Sequence, residues 1–248
     1  MIIDFPKSGQ YPGLRQLWQE AFADTDAFLD AFFTTGFSPD RCRCITDGNQ
    51  PVAALYWFDC RWQEQRLAYI YGVATAQSHR GKGLCHRLMA DTEQLLRQQG
   101  YAGILLVPAK PGLFDFYEAM GYRRFGGIRQ WEATAGAPIS LTQLSPAQYT
   151  AARARFLPAG SVVQDGPLLA FLSTYARFYG GDGFLVCCAD DDGTLMGYEL
   201  LGDPAAAPGI LATLGFQQGI FRMPGQASFA MCRMFRDAPP SYFAFALD

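Results

Sequence analysis

The amino-acid sequence predicts an α/β (α+β) fold with a central mixed, twisted sheet flanked by helices and a smaller, related α/β lobe after it. Three observations lead to this prediction. Half of the 248 residues are hydrophobic and 17% are charged, so the chain can bury a sizeable core. Segments with strand-like and helix-like patterns alternate along the first half. A second mixture of helices and a hairpin follows a linker of small residues.

Each element of the first half has its own sequence signal. Apolar residues recur at helical spacing in some segments, and alternate or run together in others. Asp24 is the predicted cap of a helix, and residues 47–50 have the composition of a hairpin turn. The predicted helices are 11–22, 25–35, 84–99 and 113–120, and the predicted strands are 41–47, 51–62, 66–75, 103–107 and 128–134.

The linker at residues 135–138, with the sequence AGAP, is the predicted boundary between domains of residues 1–135 and 139–248. Residues 211–216 are a faint echo of residues 117–122, which indicates a reduced copy of the first domain. The predicted helices of this second part are 146–156, 167–178 and 206–214, and its predicted strands are 183–189, 195–201 and 228–235.

Charge and cysteine content exclude several classes of partner. A net charge of −3 and a pI near 5.4 argue against a nucleic-acid binder with a generally basic surface. The seven cysteines form no Cys-x-x-Cys pair, and two histidines are poor material for a zinc site. Since no 18-residue uncharged apolar run occurs, no membrane partner is expected either. We expect a cytoplasmic protein with reduced thiols and no metal.

The strongest motif is a glycine-rich basic turn between strand 66–75 and helix 84–99. Glycines let the backbone approach an anion, and the first N–H groups of a helix have no partner within it. The helix dipole also favours negative charge there, so the turn is a predicted phosphate site. Its residues are Arg80, Gly81, Lys82, Gly83, Leu84 and Cys85.

A nucleotide-hydrolase loop is a poor match to this turn. That loop requires a Ser or Thr hydroxyl directly after its lysine to hold magnesium, whereas Lys82 is followed by Gly83. A second motif, FYEAMGY at residues 116–122, follows at a plausible distance. The pair of motifs is much harder to obtain by chance than either motif alone.

Together the two motifs resemble the GNAT acetyltransferase superfamily. Its members carry Gln/Arg-x-x-Gly-x-Gly/Ala after a central strand, and this chain has Arg80, Gly83 and Cys85 at those positions. They also carry a helix of the form Phe/Leu-Tyr-Glu-x-x-Gly-Phe/Tyr, which residues 116–122 match. The resemblance covers roughly residues 40–133. It implies a two-lobed member with an intact N-terminal GNAT domain and a reduced GNAT-like C-terminal domain.

The resemblance also implies an activity, a cosubstrate and site residues. The activity is transfer of an acetyl group from acetyl-CoA to a primary amine by direct attack in a ternary complex, without a metal. Val73 and Thr75 would offer backbone groups to the thioester and pantetheine, and the main chain of residues 80–85 would bind the pyrophosphate. Tyr117 matches the tyrosine that protonates the departing thiolate.

The general base stays open at this point. Asp59 and Glu64 are the carboxylates nearest in sequence to the central strand, and the C-terminal Asp248 and water are further candidates. The acceptor is expected to be a small-molecule or peptide amine. Because 15% of the residues are aromatic, an apolar or aromatic acceptor body is one expectation.

A second function is also left open: a catalytically silent CoA-binding sensor or interaction protein. Two departures from the family motivate it. Cys85 stands where the family prefers Gly or Ala, and residues 107–112 lack the asparagine that the family often places there. For either function, the second lobe is expected to be an acceptor-side or dimerisation module, and a homodimer is one expectation.

Overall fold

The computed structural model describes residues 1–236, 238–243 and 245. The helices in this part of the chain are α1 (Tyr11–Phe22), α2 (Asp26–Ala31), α3 (Leu84–Gln98), α4 (Gly112–Glu118), α5 (Pro146–Arg153), α6 (Pro167–Leu172) and α7 (Ala207–Leu214). The strands are β1 (Ile2–Asp4), β2 (Cys42–Asp47), β3 (Gln50–Trp62), β4 (Gln65–Thr75), β5 (Gly103–Leu106), β6 (Arg123–Thr134), β7 (Thr142–Leu144), β8 (Val163–Gln164), β9 (Arg177–Gly181), β10 (Phe184–Asp191), β11 (Thr194–Gly202), β12 (Gln218–Pro224) and β13 (Ala227–Met234).

The chain folds into two compact units. Unit 1 consists of Met1–Arg123 and Cys232–Ala238, and unit 2 consists of Arg124–Met231 and Pro239–Asp248. The first division falls earlier than the linker at 135–138, because β6 pairs antiparallel with β12 of unit 2. A late segment of the chain also returns to unit 1. Among the described residues, no helix is long and apolar enough to cross a membrane.

Unit 1 contains a mixed sheet with the strand order β1-β2-β3-β4-β5. The pairs are antiparallel except for β4–β5, which is parallel. A parallel pair requires a crossover, and α3 provides it. One face of α3 is buried through Leu84, Leu88, Met89, Thr92 and Leu96. The prediction of a mixed sheet flanked by helices is confirmed.

Residues 232–238 complete unit 1 beside β5. Gly103 comes so close to this segment that a Cβ on it would lie 2.7 Å from the Sδ atom of Met234. The backbone N–H of Phe235 donates to the carbonyl of Ala102 at 2.8 Å. Unit 1 therefore includes residues that are more than 100 positions beyond its main segment.

The strands of unit 2 follow the order β6-β12-β11-β10-β9-β7. Strands β10 and β11 form an antiparallel hairpin, α7 follows, and β12 pairs parallel with β11. Its core is formed by Phe184, Val186, Cys188, Leu195, Leu200, Ile210, Leu211 and Phe221. This hairpin, crossover helix and parallel strand repeat the order of β3, β4, α3 and β5.

The weak sequence similarity between residues 211–216 and 117–122 pairs α7 with a different helix than the order of the strands and helices does. By connection, α7 corresponds to α3, whereas the echo aligns it with α4. The reason is that α4 and α7 are followed by the same turn, with Gly121 at φ +86° and Gly215 at φ +83°. The next residue donates to the carbonyl five positions earlier in both cases, a common helix ending.

Several predicted boundaries are wrong for local reasons. Thr25 caps α2 through its side chain, while Asp24 accepts a hydrogen bond from the Trp18 indole. The helix predicted over 25–35 becomes α2 followed by a π-helical turn at Phe32–Gly36. The helix predicted over 167–178 ends at Leu172, and β9 begins within its last residues. The strands β1, β7, β8, β9 and β12 were not predicted.

A charged cluster is buried inside unit 2. The Arg153 guanidinium donates to both carboxylate oxygens of Glu199 at 2.7 and 2.8 Å, and both side chains are at most 1% exposed. The hydroxyls of Tyr149 and Tyr242 also donate to Glu199, at 3.0 and 3.1 Å. Through its hydroxyl, Tyr242 is thus anchored to the core of unit 2.

Replacing Glu199 by Gln is expected to lower the free energy of unfolding by about 3–5 kcal/mol, because the Arg153 charge would stay buried without a counter-charge. Urea-induced unfolding followed by circular dichroism measures this loss. Asp30→Asn is the control, since it removes the solvent-exposed ion pair with Arg15. Such pairs contribute at most about 1 kcal/mol. Equal losses for the two variants would contradict the expectation.

Candidate functional site

Strand β4 contains a β-bulge near its C-terminal end. Between two regular pairs, β4 has two residues, Gly72 and Val73, opposite the single residue Leu55 of β3. Gly72 has φ +60°, and a Cβ on it would lie 2.6 Å from the Trp18 ring. A bulge leaves one residue outside the ladder. The residue left out here is Gly72 or Val73, and Val73 is predicted to offer backbone groups to the thioester.

The sheet of unit 1 opens beside this bulge. Strands β4 and β5 pair in parallel only as far as Tyr69 and Leu105. Strand β5 ends one residue later, whereas β4 continues to Thr75. Backbone groups at the end of β4 therefore lie beyond the described pairing with β5. Such groups need another hydrogen-bond partner, which solvent or a ligand can supply.

The turn that follows β4 exposes a run of backbone donors. Gly81 and Gly83 have φ of +73° and +71°, and a Cβ on either would meet no atom within 4 Å. The N–H groups of residues 81–86 donate to no other described residue. The first helical hydrogen bond is donated by Arg87 to the carbonyl of Gly83, at 3.1 Å. These donors and the open space suit an anion.

Two basic side chains fold back onto the turn itself. The Arg80 Nε atom donates to the carbonyl of Thr75 at 3.2 Å, and the Lys82 Nζ atom donates to the carbonyl of Ser78 at 2.9 Å. Both side chains are exposed. They place positive charge next to the free N–H groups without filling the space above the glycines.

The two sequence motifs meet in the structure. The ring of His86, in the first turn of α3, packs edge-on against Phe116 of α4, with the ring centroids 5.3 Å apart. The thiol of Cys85 lies close enough to the Tyr117 phenol to influence its ionisation. Contacts between α3 and α4 thus bring Tyr117 to the N-terminal end of the helix that carries the anion turn.

Tyr117 is held as a neutral phenol. Its side chain is 7% exposed, and its ring contacts Phe116 and Tyr122. Burial raises the pKa of Tyr117 above its ordinary value, and the nearby Cys85 thiol adds a smaller effect in the same direction. The phenol therefore carries its proton at neutral pH.

Cys85 does not have the character of a reactive thiol. It is half-buried, and burial raises the pKa of its thiol to about 11. A thiolate is the nucleophilic form, so a raised pKa disfavours a covalent step through this residue. The other six cysteines are buried, and none forms a disulfide within the part of the chain that the structure describes.

The candidate bases Asp59 and Glu64 lie at the far end of β4. Asp59 pairs with Ala68, roughly 16 Å along the strand from Val73, and its carboxylate accepts hydrogen bonds from Arg41 and Tyr101. Glu64 is exposed in the turn before β4, roughly 30 Å from Val73 along the strand. Neither position fits a base that acts beside the bulge. Asp248 lies outside the described residues.

Aromatic side chains surround the other side of the bulge. The Trp18 ring contacts Tyr71 at a centroid distance of 5.3 Å, Tyr56 at 5.2 Å and Phe32 at 4.5 Å. Trp18, Phe32 and Tyr56 are buried, while the neighbouring Phe28, Phe33, Phe37 and Tyr71 are half-buried. A partly exposed aromatic surface therefore adjoins the bulge within unit 1.

Sequence reasoning missed two features of this site. A single glycine within an apolar strand is a signal for a bulge, so Gly72 could have been found. Arg233, which contacts the carbonyl after α4, had no signal because it is far away in sequence. Among the described residues, no group of three or more His, Cys, Asp or Glu is placed to hold a metal ion.

These observations define an α/β unit that presents an anion-binding turn and a buried tyrosine on adjacent helices. Residues 3–125 match the family described as an acetyltransferase (GNAT) domain. The chain therefore contains a GNAT acetyltransferase domain in its first half, as its motifs predicted. No curated protein sequence matches the chain.

Solved structures of similar fold extend over most of the chain. A GCN5-related N-acetyltransferase from Kribbella flavida has a TM-score of 0.71 at 19% identity, and the matched region covers 94% of this chain and 70% of that protein's chain. One from Anabaena variabilis has a TM-score of 0.69 at 14% identity, covering 95% and 73%. Eis1 from Mycobacterium abscessus has a TM-score of 0.67 at 12% identity, covering 94% and 74%. At these identities the likeness is one of fold.

Gly72→Ala is expected to lower the free energy of unfolding by about 2–5 kcal/mol. A left-handed backbone costs a non-glycine residue about 1–2 kcal/mol, and overpacking against Trp18 adds about 1–3 kcal/mol. Gly48→Ala is a matched control, because Gly48 has φ +58° with open space around it. Urea titration of both variants measures the difference. Similar losses would show that the approach of Trp18 imposes no constraint.

Proposed function

We propose that this protein is an acetyl-CoA-dependent N-acetyltransferase that moves an acetyl group to a primary amine by direct attack in a ternary complex. The observation that carries the proposal is the run of free backbone N–H groups at residues 81–86, next to the buried Tyr117, within a GNAT domain. The free donors suit the diphosphate of acetyl-CoA, and a protonated phenol suits a thiolate leaving group.

Acetyl-CoA fits the turn for a physical reason. A Cβ on Gly81 or Gly83 would project into open space, so the absence of side chains there leaves room for a phosphate against the backbone. Of the residues predicted to bind the diphosphate, 81–85 have free main-chain donors that would hold it without a metal, whereas the N–H of Arg80 donates to the carbonyl of Gln77 at 3.3 Å. Val73 and Thr75 would offer backbone groups to the thioester and pantetheine.

In the proposed reaction, the acceptor nitrogen forms a bond to the thioester carbon and the carbon–sulfur bond breaks. A backbone N–H freed by the bulge at Val73 stabilises the developing oxyanion. Tyr117 gives its proton to the departing CoA thiolate. The amine loses its proton to a base. The distant positions of Asp59 and Glu64 favour water or the C-terminal Asp248 in that role.

The aromatic surface supports an acceptor with an apolar or aromatic body. Half-buried rings, including Phe33 and Tyr71, lie beside the bulge where the thioester would be. Burying an apolar group against them is favourable and holds the amine in place for attack. We therefore propose arylalkylamines, or peptide amines that carry an aromatic residue, as the acceptor class.

The remaining expectations continue as parts of this proposal. We place the protein in the cytoplasm, where thiols stay reduced, and expect no nucleic-acid or membrane partner. Unit 2 is proposed to act as an acceptor-side or dimerisation module. Its crossover to α7 lacks a turn like that of residues 80–85 in sequence, which supports the proposal that acetyl-CoA binds to unit 1.

Gly83→Ala is expected to weaken acetyl-CoA binding at least about tenfold, because its methyl group would enter the proposed phosphate site. Isothermal titration calorimetry measures the affinity. Gly100→Ala is the matched control, since Gly100 has φ +78° and equally open surroundings at the other end of α3. Both variants carry the same backbone strain. No binding to the unmodified protein, or equal loss in both variants, would overturn the assignment.

Tyr117→Phe is expected to lower kcat roughly 10²-fold, since it removes the proton donor and keeps the ring. Thiol release from acetyl-CoA measures turnover over a panel of arylalkylamines, polyamines, amino acids and peptides, with arylalkylamines expected to react best. Tyr122→Phe is the control, because Tyr122 is another buried phenol in contact with Tyr117. It should retain activity.

The same assay distinguishes the second candidate function. Acetyl-CoA binding without thiol release for any amine would favour a CoA-binding sensor over an enzyme. Turnover that Tyr117→Phe leaves unchanged would remove the proposed proton donor but retain the transferase.

A further inference from the structure

Arg233 joins the two helices that form the proposed site. Its Nε atom lies 3.0 Å from a carboxylate oxygen of Glu93, in the middle of α3. Its Nη1 atom donates to the backbone carbonyl of Met120, just after α4. The Arg233 guanidinium therefore contacts two places: α3, which begins at the anion turn, and the backbone just after the C-terminal end of α4, which carries Tyr117.

The turn after α4 has room for this side chain. Gly121 lacks a Cβ, and a Cβ there would lie 3.1 Å from the Arg233 Nη1 atom. Gly121 has φ +86°, the left-handed conformation of the tight turn that ends the helix. Glycine at this position thus serves both the turn and the approach of the guanidinium.

That turn closes directly on Tyr117. The carbonyl of Tyr117 accepts hydrogen bonds from the N–H groups of Met120 and Tyr122, at 3.0 and 3.1 Å. The Tyr122 ring packs against the Tyr117 ring at 5.8 Å. Holding the carbonyl of Met120 therefore restrains the backbone from which the Tyr117 side chain projects.

We infer that Arg233 is a positioning residue, which fixes α4 against α3 and so holds Tyr117 at the anion turn. This inference rests on the proposed role of Tyr117. Arg233 contributes to the geometry of the site rather than to the stability of the fold. The Arg233 and Glu93 side chains are 35% and 15% exposed, and partly exposed ion pairs add little to the free energy of unfolding. A planar guanidinium can hold a carboxylate and a carbonyl at once, which a lysine cannot do with the same directional constraint.

The experiment compares Arg233→Met and Arg233→Lys with a matched control, Arg97→Met. Arg97 forms the other ion pair of Glu93, at 2.8 Å, and lies over the ring of Phe235, but it makes no described contact with α4. Arg233→Met is expected to lower kcat about tenfold, with the Kd of acetyl-CoA changed less than twofold. The kcat of Arg233→Lys should lie between those of Arg233→Met and the unmodified protein. The kcat of Arg97→Met should stay within twofold of that of the unmodified protein.

A double-mutant cycle with Tyr117→Phe tests whether Arg233 acts through the tyrosine. In the Tyr117→Phe background, Arg233→Met should lower kcat less than twofold further. The same tenfold loss in both backgrounds would overturn the inference. A loss of kcat in Arg97→Met as large as that in Arg233→Met would also overturn it, because it would reflect general destabilisation.

Hydrogen exchange supplies a readout that does not depend on turnover. Arg233→Met should raise the exchange rate of the amides of Met120 and Tyr122 at least fivefold, and Arg97→Met should not. Unchanged exchange in Arg233→Met overturns the inference. If exchange rises but Tyr117→Phe keeps full activity, the restraint of α4 stands and the proposed proton donor fails. The two proposals can therefore fail separately.

Discussion

The site in unit 1 depends on a run of backbone N–H groups that the described protein does not pair. Residues 81–86 follow β4 directly and precede the first helical hydrogen bond of α3. Left-handed glycines at positions 81 and 83 leave open space in front of these donors. Free donors at a helix start favour an anion, even in a chain whose net charge is −3.

Unit 2 repeats the connection but begins it with paired donors and prolines. Its crossover begins at Asp203, whose carboxylate accepts the N–H of Ala205 at 2.9 Å. Pro204 and Pro208 have no N–H to offer. A carboxylate at this place also disfavours a second anion. Two units with the same order of hairpin, crossover helix and parallel strand therefore differ in the chemistry that they can support.

The rest of unit 1 places a β-bulge, an aromatic surface and a phenol near the anion turn of residues 80–85. The bulge at Gly72 interrupts the β3–β4 ladder, β5 ends before β4 does, and the aromatic surface lies against the same bulge. Contacts between α3 and α4 bring in Tyr117, and burial keeps its phenol protonated by raising its pKa. Each part has an ordinary structural cause, and together they suit acyl transfer.

Much of the fold and part of the site could be predicted from local signals. Helix α1 has the predicted bounds, and β3, β4 and α3 differ from prediction by one residue at an end. These elements have strong periodicity or clear turn residues. Strands such as β1 and β12 were missed, because they carry no such pattern and form only where a neighbouring strand pairs with them. Asp59 and Glu64, two of the open candidates for the base, lie far from the bulge along the strand, because closeness in sequence takes no account of the direction of β4.

The sequence by itself determined the anion turn, the tyrosine helix and the alternation of strands and helices, since each depends on residues that are near one another in the chain. Only the tertiary structure decided which residues meet. It placed His86 on Phe116, Trp18 against Gly72, and Arg233 between Glu93 and the carbonyl of Met120. These contacts join positions up to 140 residues apart (93 to 233), which local periodicity cannot relate because packing, not chain order, brings them together.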